Sequence, residues 1–83
     1  MIADNMLTIM REAHRNCVWY GDISLIEQCA KMSGVTKKHP QDTIRCVLNA
    51  LDKSSLFSKG YIVADFCGKN RRYRCFTIKE MST

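Results

Sequence analysis

The chain is 83 residues long, which is enough for one small hydrophobic core but too short for a deep substrate cleft between two lobes. With 46% hydrophobic and 25% charged residues and a formal net charge of +5, its composition is that of a globular and basic protein rather than a disordered one. We therefore predict a single domain over residues 1–83 that is not an enzyme and has no catalytic residues.

The N-terminal segment predicts a helix followed by a short strand. Asp4 or Asn5 can cap the helix, because a short polar side chain accepts a hydrogen bond from the free N–H groups of the first turn. Apolar residues recur with the helical period and form one stripe: Met6, Ile9, Met10, Ala13 and Cys17. Residues 16–23 then change to the pattern of a strand, in which Trp19 is expected to fill the core.

The second predicted helix begins at a capping box formed by Ser24 and Glu27, in which each side chain bonds to the backbone N–H of the other residue. One face carries the side chains that are expected to pack: Leu25, Cys29 and Met32. Gly34 ends the helix, because glycine readily adopts the left-handed conformation of a C-terminal cap.

The third predicted helix covers about residues 40–53. Pro40 suits its first position, and Asp42 complements the positive end of the helix dipole. Four apolar residues form a stripe along it: Ile44, Val47, Leu48 and Leu51. The opposite side is polar and free to contact a partner. After this helix, Leu56 and Phe57 are expected to fold back onto the core.

A basic hairpin of two strands, residues 61–67 and 72–78, follows, since both segments are rich in aromatic and β-branched residues. The turn between them is predicted from Gly68 to Arg71. With Lys69 and Asn70 at its centre, the register places three pairs opposite each other: Asp65 and Arg74, Val63 and Phe76, and Tyr61 and Ile78.

The excess positive charge lies in the C-terminal half. Residues 37–83 carry ten Lys or Arg against four acidic residues, whereas residues 1–36 have a net charge of −1. A concentrated basic surface attracts a polyanion, and nucleic acid is the commonest such partner. The alternative is a solvated surface that keeps a small protein soluble.

The five cysteines predict no metal site and no cofactor, because they include no Cys-x-x-Cys pair and the two histidines do not complete a zinc site. No apolar run approaches a membrane span, and the N-terminal residues lack a signal-peptide pattern. A cytoplasmic location with free thiols is therefore expected. Cys46, off the apolar stripe and after Arg45, is the one candidate for a redox-active thiol.

The order of helix, short strand, helix, turn, helix and basic hairpin resembles the winged helix-turn-helix of bacterial transcription regulators over about residues 5–80. In size the chain is similar to small stand-alone regulators of fimbrial and virulence operons, or to accessory proteins of phages and plasmids. The resemblance implies an α+β fold with three helices, a short first strand and a hairpin wing at 61–78. The turn between helices two and three is longer than is usual for this family.

The resemblance also implies a function and a set of binding residues. The third helix would enter the major groove of DNA, and the wing would lie on the backbone or in the minor groove. Arginine can pair with guanine, and glutamine or asparagine with adenine. The residues that this arrangement assigns to DNA are Lys37, Lys38, Gln41, Arg45, Asn49, Lys53, Lys69, Asn70, Arg71 and Arg72.

The expected partners are double-stranded DNA and either a second copy of the chain or another regulator, since one small domain buries little DNA surface. The alternative function is a winged-helix interaction module that binds a host regulator or polymerase through exposed hairpin aromatics such as Tyr61 and Phe76, without contacting DNA.

Overall fold

Three helices and a three-stranded antiparallel sheet form an α+β fold in the computed structural model, which describes residues 1–66 and 68–79 except for the side chain of Phe66. The elements in chain order are α1 (Ile2–Glu12), β1 (Cys17–Trp19), α2 (Ile23–Ser33), α3 (Pro40–Lys53), β2 (Phe57–Phe66) and β3 (Lys69–Ile78). The strand order is β1-β3-β2, so the first strand pairs with the last. No helix of the described residues is long and apolar enough to cross a membrane.

The first helix begins earlier than predicted. It starts at Ile2 without a side-chain cap, so the proposed cap at Asp4 or Asn5 is wrong. Both residues instead lie in the first turn, where the carboxylate of Asp4 is still favourably placed near the positive end of the helix dipole. The predicted stripe is too long at its other end, because Ala13 is exposed and Cys17 belongs to β1.

A left-handed residue ends α1. His14 has φ +57°, and the N–H of Arg15 donates to the carbonyl oxygen of Met10 at 2.8 Å. The end of α2 repeats this arrangement with the expected Gly34 at φ +68°. Histidine adopts this conformation less readily than glycine. The end of α2 could therefore be predicted from Gly34, whereas the end of α1 could not be predicted from His14.

The predicted capping box of α2 is wrong. The helix starts at Ile23, and the hydroxyl oxygen of Ser24 accepts a hydrogen bond from the amide of Gln28 at 3.4 Å. Asp22 occupies the cap position, but its carboxylate turns back to accept from the N–H of Trp19 at 3.1 Å. The prediction for Met32 is also wrong, since its side chain is 56% exposed. The packed face carries Leu25, Ile26, Cys29 and Ala30.

The third helix confirms its predicted limits and its buried stripe. One further buried residue was not anticipated: Thr43, which is only 4% exposed. Its hydroxyl oxygen accepts a hydrogen bond from the N–H of Lys37 at 2.8 Å. The hydroxyl also donates to the carbonyl oxygen of Lys37 at 3.4 Å. A single hydroxyl thus fixes the six-residue loop that joins α2 to α3.

Replacing Thr43 by valine is expected to destabilise the domain by about 1–3 kcal/mol, because the new side chain has the same shape but leaves the N–H of Lys37 without its acceptor. Chemical denaturation measures the change. Thr43→Ser is the matched control, since it keeps the hydroxyl. Equal loss of stability in both variants would contradict this role for the hydroxyl group.

The core lies between the helices and one face of the sheet. Val18, Phe57, Phe76 and Ile78 are buried on that face, which confirms that the chain folds back at Phe57. Trp19 points to the other face and is only half-buried, so its predicted role as a core residue is wrong. Its ring covers Gly21 so closely that a Cβ atom at that position would overlap it.

The predicted hairpin register is also wrong. Phe66 pairs with Lys69, so the connection consists of residues 67 and 68, and Gly68 supplies a left-handed φ of +77°. Both strands begin earlier than predicted, at Phe57 and Lys69 instead of residues 61 and 72, and Tyr61 lies opposite Arg74 rather than Ile78. Cys67 itself lies outside the described residues.

Candidate nucleic-acid interface

A cleft of about 510 Å³ lies between the N-terminal part of α3 and the outer half of β3. Gln41 and Arg45 border it from the helix, one turn apart on the same side. From the strand it receives Lys69, Arg71, Arg72 and Arg74. Two elements that are distant along the chain therefore direct five cationic residues towards one cleft.

The positive charge of the cleft has no acidic counterpart among the described residues that line it. No Asp or Glu lines it, and none of its five cationic residues forms an ion pair within the described part of the chain. Elsewhere, Arg15 is paired with Asp22 at 2.9 Å and Lys59 with Asp52 at 3.6 Å. Unpaired cations around a concave surface raise the local potential for an anion.

The backbone of β3 adds hydrogen-bond donors on the same side. The N–H of Ile78 donates to Asn16 beside β1 at 2.8 Å, and alternation along the strand gives the N–H groups of Arg72 and Asn70 the same direction. In the described chain β1 pairs only with residues 75–77, so this edge of β3 has no strand partner farther out. Backbone N–H groups of this kind suit phosphate oxygens.

The basic cluster predicted for the turn lies in the strand instead. Lys69, Asn70, Arg71 and Arg72 are the first four residues of β3, so they alternate between the two faces of the hairpin. Arg72 shares the core side of the sheet, where its guanidinium carbon lies 5.0 Å from the ring centre of Tyr61. This cation–π contact holds the side chain across the hairpin without removing its charge.

Arg74 is the functional candidate that the sequence analysis missed. Its predicted partner was Asp65, but Asp65 lies opposite Asn70. The guanidinium carbon of Arg74 instead lies 5.9 Å from the ring centre of Phe76, at the border of the cleft. A turn that includes Gly68 would have identified it, because that register places Arg74 opposite Tyr61 instead of Asp65 and so leaves it without an acidic partner across the hairpin.

The remaining predicted residues lie outside this cleft. Asn49 is exposed one turn beyond Arg45, and Lys53 is the last residue of α3, beside the N-terminus of α1. Lys37 and Lys38 are exposed in the loop before α3, where Lys37 borders a separate hollow between α2 and α3. Asn70 is exposed on β3 but does not line the cleft.

Two tyrosines, neither of which was predicted for the site, complete the cleft wall. The rings of Tyr20 and Tyr73 lie 5.5 Å apart, and Trp19 packs edge-on against Tyr73 at the same distance. The hairpin aromatic Phe76, by contrast, is fully buried, so its predicted exposure is wrong. Tyr61 is 65% exposed, as the interaction-module alternative requires.

None of the four cysteines that the structure describes lines the cleft. Burial raises the pKa of the Cys29 thiol, which donates a hydrogen bond to the carbonyl oxygen of Ile2 at 3.3 Å. Burial, and secondarily the neighbouring Cys17, raises the pKa of Cys75. Cys46 is a half-buried free thiol. No three His, Cys, Asp or Glu residues in ranges 1–66 and 68–79 are grouped so as to hold a metal ion.

Comparison of the chain with protein-family models, with curated proteins and with solved structures gives no match. The site must therefore be interpreted from its own geometry.

Proposed function

We propose that the chain is a small DNA-binding protein of the winged helix-turn-helix type that regulates transcription. The observation that carries this proposal is the cleft between α3 and β3, whose described lining contains five cationic residues and no acidic one. A polyanion with regularly spaced phosphates satisfies such a surface better than a single small anion does.

The two sides of the cleft would have different roles. An α-helix fits the major groove, and Gln41 and Arg45 lie near the N-terminal end of α3, where recognition helices contact bases. Arg45 can donate two hydrogen bonds to guanine, and Gln41 can pair with adenine. The hairpin would act as the wing, with Arg71 and Arg72 on phosphates or in the adjacent minor groove.

The loop before α3 offers a further contact with the DNA backbone. Lys37 and Lys38 are exposed there, and Thr43 fixes the loop on the helix. Asp42 is exposed in the first turn of α3 and borders a different hollow, so its carboxylate does not face the cationic cleft. Phosphate contacts from the loop and the wing would fix the position of α3 in the groove.

Fluorescence anisotropy of a labelled 30-base-pair duplex across a salt series tests the proposal. The logarithm of the association constant is expected to fall linearly with the logarithm of salt concentration, with a slope of about −3 to −5 for three to five neutralised phosphates. Absence of binding at low salt would overturn the proposal and favour a protein partner for the same surface.

A further inference from the structure

The outer edge of β2 is long and uncovered by any strand of the described chain. The strand runs from Phe57 to Phe66, and its other edge pairs with β3 along its whole length. On this strand Tyr61 is 65% and Val63 is 69% exposed. Free edges of this length are normally shortened, covered or interrupted, because they pair readily with another strand.

One contact shows which residues of β2 direct their backbone N–H and C=O groups towards the free edge. The N–H of Lys79 donates to the carbonyl oxygen of Leu56 at 2.9 Å. Because antiparallel pairing alternates, the even-numbered residues of β2 bond to β3, and the odd-numbered ones direct their N–H and C=O groups outwards. After Phe57, the first residue of the strand, the outward-directed residues are Lys59, Tyr61, Val63 and Asp65.

These outward residues are complementary to themselves. If a second copy of β2 pairs antiparallel with the two-fold axis at Ile62, Tyr61 lies opposite Val63 and Lys59 lies opposite Asp65 of the other copy. Each of these pairs joins two outward-directed residues, so their backbone N–H and C=O groups can bond to each other across the two copies. An apolar pair and an oppositely charged pair at directly facing positions both stabilise a sheet.

We propose that the chain forms a homodimer through antiparallel pairing of β2 with β2 of a second copy, which creates a continuous six-stranded sheet. The ion pair of Lys59 with Asp52 does not oppose this, because its two atoms are 3.6 Å apart and its side chains are 59% and 40% exposed, so Lys59 can turn to the partner at little cost. No described residue of β2 lines the cationic cleft, so pairing along the outer edge of β2 would leave the residues of the cleft uncovered.

Charge reversal tests both the surface and the register. Lys59→Asp places two acidic residues opposite each other at both ends of the interface, and Asp65→Lys does the same with two lysines. Each variant alone is expected to dimerise at least about tenfold more weakly than the original chain. A mixture of the two variants restores opposite charges at both ends, so a heterodimer is expected to form from them.

Sedimentation equilibrium without DNA, from about 5 to 200 µM protein, measures these affinities, because an interface of this size is expected in the weak to moderate range. Lys31→Asp is the matched control, since it makes the same charge change on α2. A chain that remains monomeric throughout would overturn the proposal, as would a dimer that is insensitive to both reversals. Neither result bears on DNA binding, which is measured separately.

Discussion

Replacing Arg71 and Arg72 together by alanine is expected to weaken binding to an arbitrary duplex by about 10- to 100-fold near physiological salt. It should also make the salt slope shallower by about two, since two phosphate contacts are lost. Both residues border the cleft from β3 and lie on opposite faces of the strand. The double variant therefore removes one positive charge from each face of the proposed wing. Anisotropy titrations at several salt concentrations give both quantities.

The matched control removes two positive charges elsewhere. Lys31 lies on α2 and Lys79 follows β3, and both are exposed outside the cleft. The double variant Lys31→Ala, Lys79→Ala has the same net charge as the wing variant and is expected to keep most of the affinity. If the two double variants behaved alike, binding would depend on net charge alone, and the wing would have no specific role.

The Phe76→Ala variant is expected to lose about 3–5 kcal/mol of unfolding free energy, a large part of what a domain of this size possesses. The ring is fully buried on the central strand of the sheet, beside Val18 of β1. Its removal therefore leaves a cavity between the sheet and the helices. Urea denaturation followed by circular dichroism measures the loss.

Thr77→Val controls for effects of substitution in the same strand. Thr77 is the next residue and is exposed on the other face, and valine keeps its β-branched shape. A change of less than about 0.5 kcal/mol is expected there. A similarly small effect at Phe76 would mean that the sheet packs on the helices differently from the structure described above.

Helix positions could be predicted from the sequence because their signals are local. The apolar residues of α3 recur at helical spacing, and Pro40 marks the start of the helix. Both signals agree with the packing that the structure shows. Helix ends were less predictable. Asp22 carries a side chain suited to capping, but that side chain is engaged by Arg15 and by the backbone of Trp19. The cap was therefore predicted two residues too late, at Ser24.

The hairpin faces were predicted correctly although the register was not. The observed register moves the partner of each residue by four positions, for example from Ile78 to Arg74 for Tyr61, and an even shift leaves every side chain on its original face. The error came from placing polar Lys69 and Asn70 in the turn. The connection needs a residue with positive φ, which Gly68 supplies. In the observed register Arg74 borders the cleft.

The placement of Gln41 and Arg45 on an exposed helix face followed from periodicity, but their partners across the cleft could not be predicted. The distance between α3 and β3 depends on how the sheet packs on the helices, which no short pattern encodes. For the same reason Lys53 was grouped with the binding residues, although it lies at the other end of α3, beside the N-terminus of α1.

The pairing of β1 with β3 has a consequence for the order of folding. Cys17 and Thr77 are neighbours in the sheet but about 60 residues apart in the chain, so their contact closes a long loop at a considerable entropic cost. The β2–β3 hairpin, joined by two residues, is expected to form first and to serve as the template on which β1 docks late. In stopped-flow refolding, Val18→Ala should then mainly accelerate unfolding, whereas substitutions at the hairpin connection should slow folding.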